Sequence, residues 1–235
     1  MTAALAIVSV DVDDRSAPLG CAALRELRGR PLIAWAVRAL TSSGVVAQTL
    51  VAVPPALEGV VADVLRGDGS GRLQVLPVQA NGPGLRIRAA LAGAPGPDGA
   101  VVVHDALHPL APAALVRAVV DGLGAHPDAA VCAPARPVTD TLKWVDEDEV
   151  VRGTADREGY RVIGSPQAYR RAALADALAA APDEALRAPG ADVLPRLVHA
   201  RGGAVTLVPC PGETFRVGSE EDLVLVDALL EPQAR

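Results

Sequence analysis

Short unbroken runs of aliphatic residues recur along this chain, and each is followed by a segment with helical apolar spacing. Residues 4–10, 48–53, 73–78, 99–104 and 129–133 read as strands, because each is brief, continuous and rich in Val, Leu, Ile and Ala. Between them, 32–40, about 56–65, 85–91 and 112–123 carry helical periodicity. The first helix is entered through Pro31, a residue suited to a first helical turn. Strands without polar alternation belong in a parallel sheet that is covered on both faces. The expected fold is therefore α/β, a Rossmann-like three-layer α/β/α arrangement around a mostly parallel sheet. At 235 residues the chain reads as a single domain, 1–235. With 50% apolar residues and only 2% aromatic, its core must be aliphatic.

The middle third breaks the alternation. Thr141-Leu142-Lys143-Trp144-Val145 and Val150-Val151-Arg152 flank the acidic run Asp146-Glu147-Asp148-Glu149, as two short strands around a turn would. A third short strand is expected at 160–163. This reads as a β-arm, at about 137–164, standing off the sheet. An apolar Trp144 on such an arm favours homodimerisation over a purely solvated hairpin. Helices at 169–180 and 191–200, a strand at 204–209 and a closing helix at 220–230 complete the chain. Ser219 followed by Glu220, Glu221 and Asp222 is a good start for that last helix. Tyr160 and Tyr169 are expected to be packing residues.

Several function classes are excluded by composition. A net charge of −6 without a basic run argues against nucleic acid. No apolar run reaches the roughly 18 residues of a membrane span, and no signal peptide is evident, so a cytoplasmic protein is expected. The 3 cysteines, Cys21, Cys132 and Cys210, match no metal spacing and read as free structural thiols.

In a parallel α/β sheet, ligands sit beyond the carboxyl ends of the strands. The informative loops are thus 11–20, 78–84 and 104–109. Landmarks around them run in a fixed order: Arg28-Gly29-Arg30-Pro31-Leu32 before the first helix, and Val103-His104-Asp105-Ala106 closing the fourth strand. Pro137-Val138-Thr139-Asp140-Thr141-Leu142-Lys143 enters the arm, followed by Asp156-Arg157 and Ser165-Pro166-Gln167. Last comes Phe215-Arg216-Val217-Gly218-Ser219-Glu220-Glu221-Asp222-Leu223. This order resembles the 2-C-methyl-D-erythritol 4-phosphate cytidylyltransferase family, of the nucleotide-sugar-type nucleotidyltransferase superfamily, over essentially the whole chain.

That resemblance implies a dimer clasped by β-arms and transfer of cytidylyl from CTP to a sugar-alcohol phosphate, with release of pyrophosphate, in isoprenoid precursor synthesis. It implies Arg15 as the catalytic cation on the α-phosphate. Gly82, Gly84, Asp105 and Ala106 would bind the nucleotide, and Asp105 would also hold Mg²⁺. Thr141, Arg157 and Arg216 would bind the acceptor phosphate, with Lys143 in support. Arg216 stands where the family has lysine, which keeps the charge and changes the geometry; Lys143 is the chain's one lysine.

The phosphate loop departs from the family pattern. Asp11 and Asp13 stand at glycine positions, Asp14 precedes Arg15, and the lysine position falls on Ala22. Arg86 replaces a serine of the base-reading segment, and His108 an arginine. Three carboxylates thus face the place of a triphosphate. Each like-charge pair at ~5 Å costs roughly 3 kcal/mol at an effective dielectric of ~20. The expectation is a divergent family member with impaired or lost transfer. The alternatives are a silent dimeric homologue with a binding or regulatory role, and a nucleotidyltransferase of altered substrate.

Overall fold

The computed structural model describes residues 3–12, 20–68, 72–94, 96, 98–210 and 214–230. The phosphate-loop residues Asp13, Asp14 and Arg15 lie outside them.

The first half alternates as the apolar runs require. In chain order come β1 (Ala4–Ser9), a two-residue hairpin of β2 (Glu26–Leu27) and β3 (Arg30–Pro31), α1 (Leu32–Thr41) and β4 (Val46–Val53). Then follow α2 (Glu58–Val64), β5 (Leu73–Pro77), α3 (Pro83–Gly93), β6 (Ala100–Asp105), α4 (Ala113–Ala125) and β7 (Ala129–Pro137). The second half holds β8 (Lys143–Val145), β9 (Val151–Thr154), β10 (Arg161–Ile163), β11 (Gln167–Arg170), α5 (Arg171–Ala180), α6 (Asp183–Arg187), α7 (Val193–Ala200), β12 (Ala204–Pro209) and α8 (Glu220–Leu229).

The central sheet runs β10-β7-β11-β6-β1-β4-β5, with β12 added parallel to β7. β1 lies parallel between β4 and β6, with Ser9 opposite both Ala52 and Asp105. Alternation along β1 divides the core between the two faces. Ala6 and Val8 join a cluster containing Leu32, Ile33, Leu40, Val116 and Val119, whereas Ile7 joins one containing Leu85, Leu174, Leu178 and Leu186. Each such aliphatic side chain stabilises the fold by about 1.5–3 kcal/mol on burial. Burial of both faces is what the unbroken apolar strands foretell.

Three expectations are corrected. Residues 169 and 170, expected to begin a helix, belong instead to β11, which inserts antiparallel between β6 and β7 in the otherwise mostly parallel sheet. Tyr169 sits on this strand, fully buried, with its hydroxyl donating to Gln167 Oε1. Helical spacing in 171–180 is real, but β pairing claims the four residues before it. β10 leaves the arm to pair with β7, so the projecting element is the β8–β9 hairpin alone. Tyr160 is 42% exposed and is not a core residue.

The hairpin turn is ordered by its own acid: Asp146 Oδ1 accepts from Val150 N at 2.9 Å and from Asp148 N at 3.1 Å. α8 begins with a full capping box, Ser219 Oγ accepting from Asp222 N while Asp222 Oδ2 accepts from Ser219 N. Cys21, Cys132 and Cys210 form no disulfide with one another. Among the described residues, no helix is long and apolar enough to cross a membrane.

Candidate active site

The carboxyl ends of β1 and β6 lie side by side, and a cavity of about 110 Å³ opens above them. Ser9, Asp11, Gly84, His104, Asp105 and Arg216 are among its lining residues. Another wall is formed by the segment 188–191 that follows α6 and by Val193 and Leu194 at the start of α7. Gln167 fixes that wall, its Nε2 donating to Ala191 O at 2.6 Å and to Gly164 O at 2.9 Å.

Asp105 is the most heavily engaged group. Its Oδ1 accepts from Leu107 N at 2.9 Å and its Oδ2 from Arg216 Nε at 3.0 Å. Buried His108 brings Nδ1 to 3.5 Å from the same Oδ2, close enough for an electrostatic contact. Burial alone would raise the Asp105 pKa. His108, Arg216 and the Leu107 N–H outweigh it and hold the carboxyl well below the usual range. Arg216 is delivered to this place by its neighbour, since Val217 N donates to Leu107 O at 2.7 Å.

His104, also at the end of β6, is structural as its strand-end position suggests. Its Nδ1 lies 2.9 Å from Ser165 Oγ, and that oxygen also accepts from Asp105 N at 2.9 Å. Burial first, and the nearby His108 second, push its pKa down to about 3 against a smaller opposite pull from Asp105. The imidazole is neutral at physiological pH. Ser165 thus ties β6 to the strand entering β11, a role that its place in Ser165-Pro166-Gln167 marks without explaining.

The base of the cavity contains a pairing that separate reading of the two sequence departures misses. Asp11, at the carboxyl end of β1, forms an ion pair with Arg86 on α3. Arg86 is almost wholly buried, its other terminal nitrogen donates to Ala80 O, and burial lowers its pKa. Asp11 is therefore not one of three bare carboxylates; its charge is matched from beneath. The sequence signal was present, since both residues replace small ones in segments that follow strands of the same sheet.

The expected site residues divide between two places. Gly84, Asp105, Ala106 and Arg216 line the cavity, and Gly82 caps α3 beside it. Arg157 is on the arm side, where it lines a second cavity, of about 520 Å³, with Thr139, Glu158 and Arg161. Its guanidinium donates to Thr139 O. Thr141 is exposed at the entry to the arm, and Lys143 Nζ donates to Thr154 Oγ1 across the hairpin at 2.7 Å. The acceptor-phosphate set of Thr141, Arg157 and Arg216 is thus not gathered around one cavity: Arg216 joins Asp105 instead. Arg15 lies outside the described residues.

Each Asp105 oxygen accepts one N–H, one of them from a guanidinium, and keeps a second lone pair. The described residues include no group of three His, Cys, Asp or Glu able to hold a metal, so a Mg²⁺ ion here would depend on substrate phosphates for the rest of its shell.

The sequence profile of the family described as 2-C-methyl-D-erythritol 4-phosphate cytidylyltransferase matches residues 14–232. A curated relative of that name from Frankia casuarinae is 39% identical over 219 residues, spanning 88% of this chain and 73% of the relative. Another from Streptomyces coelicolor is 34% identical over 216 residues, spanning 88% and 77%. Among solved structures, the 2-C-methyl-D-erythritol 4-phosphate cytidylyltransferase of Thermus thermophilus superposes with a TM-score of 0.73 at 27% identity, over 97% of this chain and 98% of that one. A 4-diphosphocytidyl-2C-methyl-D-erythritol synthase from Anaerococcus prevotii shares the fold, with a TM-score of 0.81 at 17% identity over 98% and 99%.

Proposed function

This chain belongs to the 2-C-methyl-D-erythritol 4-phosphate cytidylyltransferase family, and we propose that it is a divergent member whose transfer of cytidylyl from CTP to a sugar-alcohol phosphate is impaired. The observation that carries this reading is the Asp11–Arg86 pair at the end of β1. Transfer between two polyanions depends on positive potential and N–H donors at the phosphates. A carboxylate neutralised by a buried arginine supplies neither: the pair is neutral overall, and its carboxylate is the member that faces the cavity. The lysine position is Ala22, itself a cavity-lining residue.

The rest of the site supports retained binding. Asp105 and Ala106 remain for the sugar of a nucleotide, and Arg216 remains as a cation beside them. Thr141, Arg157 and Lys143 suit an acceptor phosphate on the arm, and a homodimer joined through that arm would bring one copy's arm to the other's cavity. A cytoplasmic enzyme, or a binding protein derived from one, fits this description.

The test is calorimetry with CTP and Mg²⁺, followed by pyrophosphate release with 2-C-methyl-D-erythritol 4-phosphate. The Frankia casuarinae relative is measured in parallel. The expected turnover is on the order of 100-fold below that relative, equivalent to about 2.7 kcal/mol of lost transition-state stabilisation. Turnover within about tenfold of it would refute the proposed impairment.

A further inference from the structure

The Asp11–Arg86 pair has the arrangement of a cation that is already occupied. Arg86 lies in the first turns of α3, between two cavity-lining residues, Gly84 and Ile87, while its own side chain stays beneath the surface, 2% exposed. One terminal nitrogen is spent on Ala80 O and the other on Asp11. Among the described residues, its buried Nε has no acceptor. Asp11, by contrast, is 22% exposed and lines the cavity. The order from solvent inward is therefore cavity, carboxylate, guanidinium. A ligand's anionic group that sought Arg86 would meet Asp11 in the place it needs.

We propose that Asp11 acts as a tethered anion that satisfies Arg86 and sets this cavity to take a nucleoside-class ligand without favouring its polyphosphate. The proposal rests on reading the cavity as the nucleotide site. The remaining lining suits that class. Much of the wall is small and apolar, formed by Ala22, Ala23, Pro83, Val193 and Leu194, and able to contact a ring face. Asp105 offers carboxylate oxygens to hydroxyl groups. With the wild-type pair intact, a triphosphate meets the Asp11 carboxylate and finds Arg86 already engaged. With the Asp11 carboxylate removed, the buried guanidinium becomes an uncompensated charge next to the cavity, and a phosphate is the group that relieves it.

The experiment compares cytidine, CMP and CTP by calorimetry, at low and high salt. The proteins are the wild type, Asp11→Asn, Asp11→Gly and the double variant Asp11→Gly/Arg86→Ser. For the wild type, CTP binds no more than a few-fold tighter than cytidine. In Asp11→Asn or Asp11→Gly the preference for CTP rises by about tenfold or more, and the gain shrinks at high salt. The double variant loses the gain. Asp11→Asn keeps the side-chain volume, so it reports even where the glycine variant does not fold.

A wild-type preference for CTP over cytidine of about tenfold or more would overturn the proposal. So would an unchanged preference in the Asp11 variants, or a gain that persists without Arg86. Binding of none of the three ligands would remove the cavity from the nucleotide site and the proposal with it. Pyrophosphate release is read separately: normal turnover refutes the proposed impairment, whereas the cytidine-to-CTP ratio alone decides the role of Asp11.

Discussion

His104 illustrates how a single residue can couple fold stability to pH. Folded, its imidazole stays neutral down to about 3; unfolded, it takes a proton near 6.5. Below 6.5 the unfolded chain therefore binds one more proton than the folded one, and stability falls as the solution is acidified through that window. Asp105 acts lower: its folded carboxyl is depressed, so its contribution is present above the ordinary value of 3.8 and is lost only below it. Between about pH 6 and 4.5, chemical denaturation should show stability declining by about 1.4 kcal/mol per pH unit from His104. His104→Gln should remove that share of the slope. An unchanged slope in the variant would show that another group supplies it.

At the scale of elements, the glycines at the start of α3 do more than line a ligand site. Gly82 caps the helix at φ +133°, and a Cβ there would stand 2.7 Å from Arg187 Cα. Gly84 meets Leu186, the residue before Arg187 on α6. A Cβ would stand 2.9 Å from both Leu186 Cδ2 and Leu186 O, so α3 and α6 touch backbone to backbone. Gly84→Ala should cost about 1–3 kcal/mol through forced separation of the two helices. It should also perturb the cavity wall that follows α6. Denaturant midpoints and CTP or cytidine calorimetry on the same variant check both effects. An unshifted midpoint would show that the two helices yield freely. From sequence these glycines are flexible positions of the base-reading segment; only the packing of α6 shows that they also permit a close approach.

Over the whole molecule, the candidate site residues fall into two groups, one above β1 and β6 and one at the base of the hairpin. The arm exposes Trp144 at 59%, Val145 at 51% and Val151 at 57%, an apolar strip suited to the interface of the proposed homodimer. Trp144→Ser should shift the protein toward monomer in sedimentation velocity and weaken binding of 2-C-methyl-D-erythritol 4-phosphate about as much as Arg157→Ala does. A variant that remains dimeric, or a monomer that binds the sugar phosphate normally, would separate the arm from the site.

Much of this architecture follows from local rules. Unbroken aliphatic runs demand burial on both faces, so β1, β4, β5, β6 and β7 are legible as strands of a covered sheet. The sequence Ser219-Glu220-Glu221-Asp222 specifies its own capping box, and the position of Asp105 at a strand end marks the ligand side. Other features depend on partners distant in the chain. β11 is a strand because β6 and β7 leave an opening for it, a fact about pairing rather than periodicity. Arg216 reaches Asp105 because Val217 is bonded to Leu107. Asp11 and Arg86, 75 residues apart by their numbers, are each a departure when read singly. Sequence alone determines that the end of β1 carries an acid in place of a glycine. Only the tertiary structure decides that this acid faces a buried guanidinium, because charge compensation depends on proximity in space.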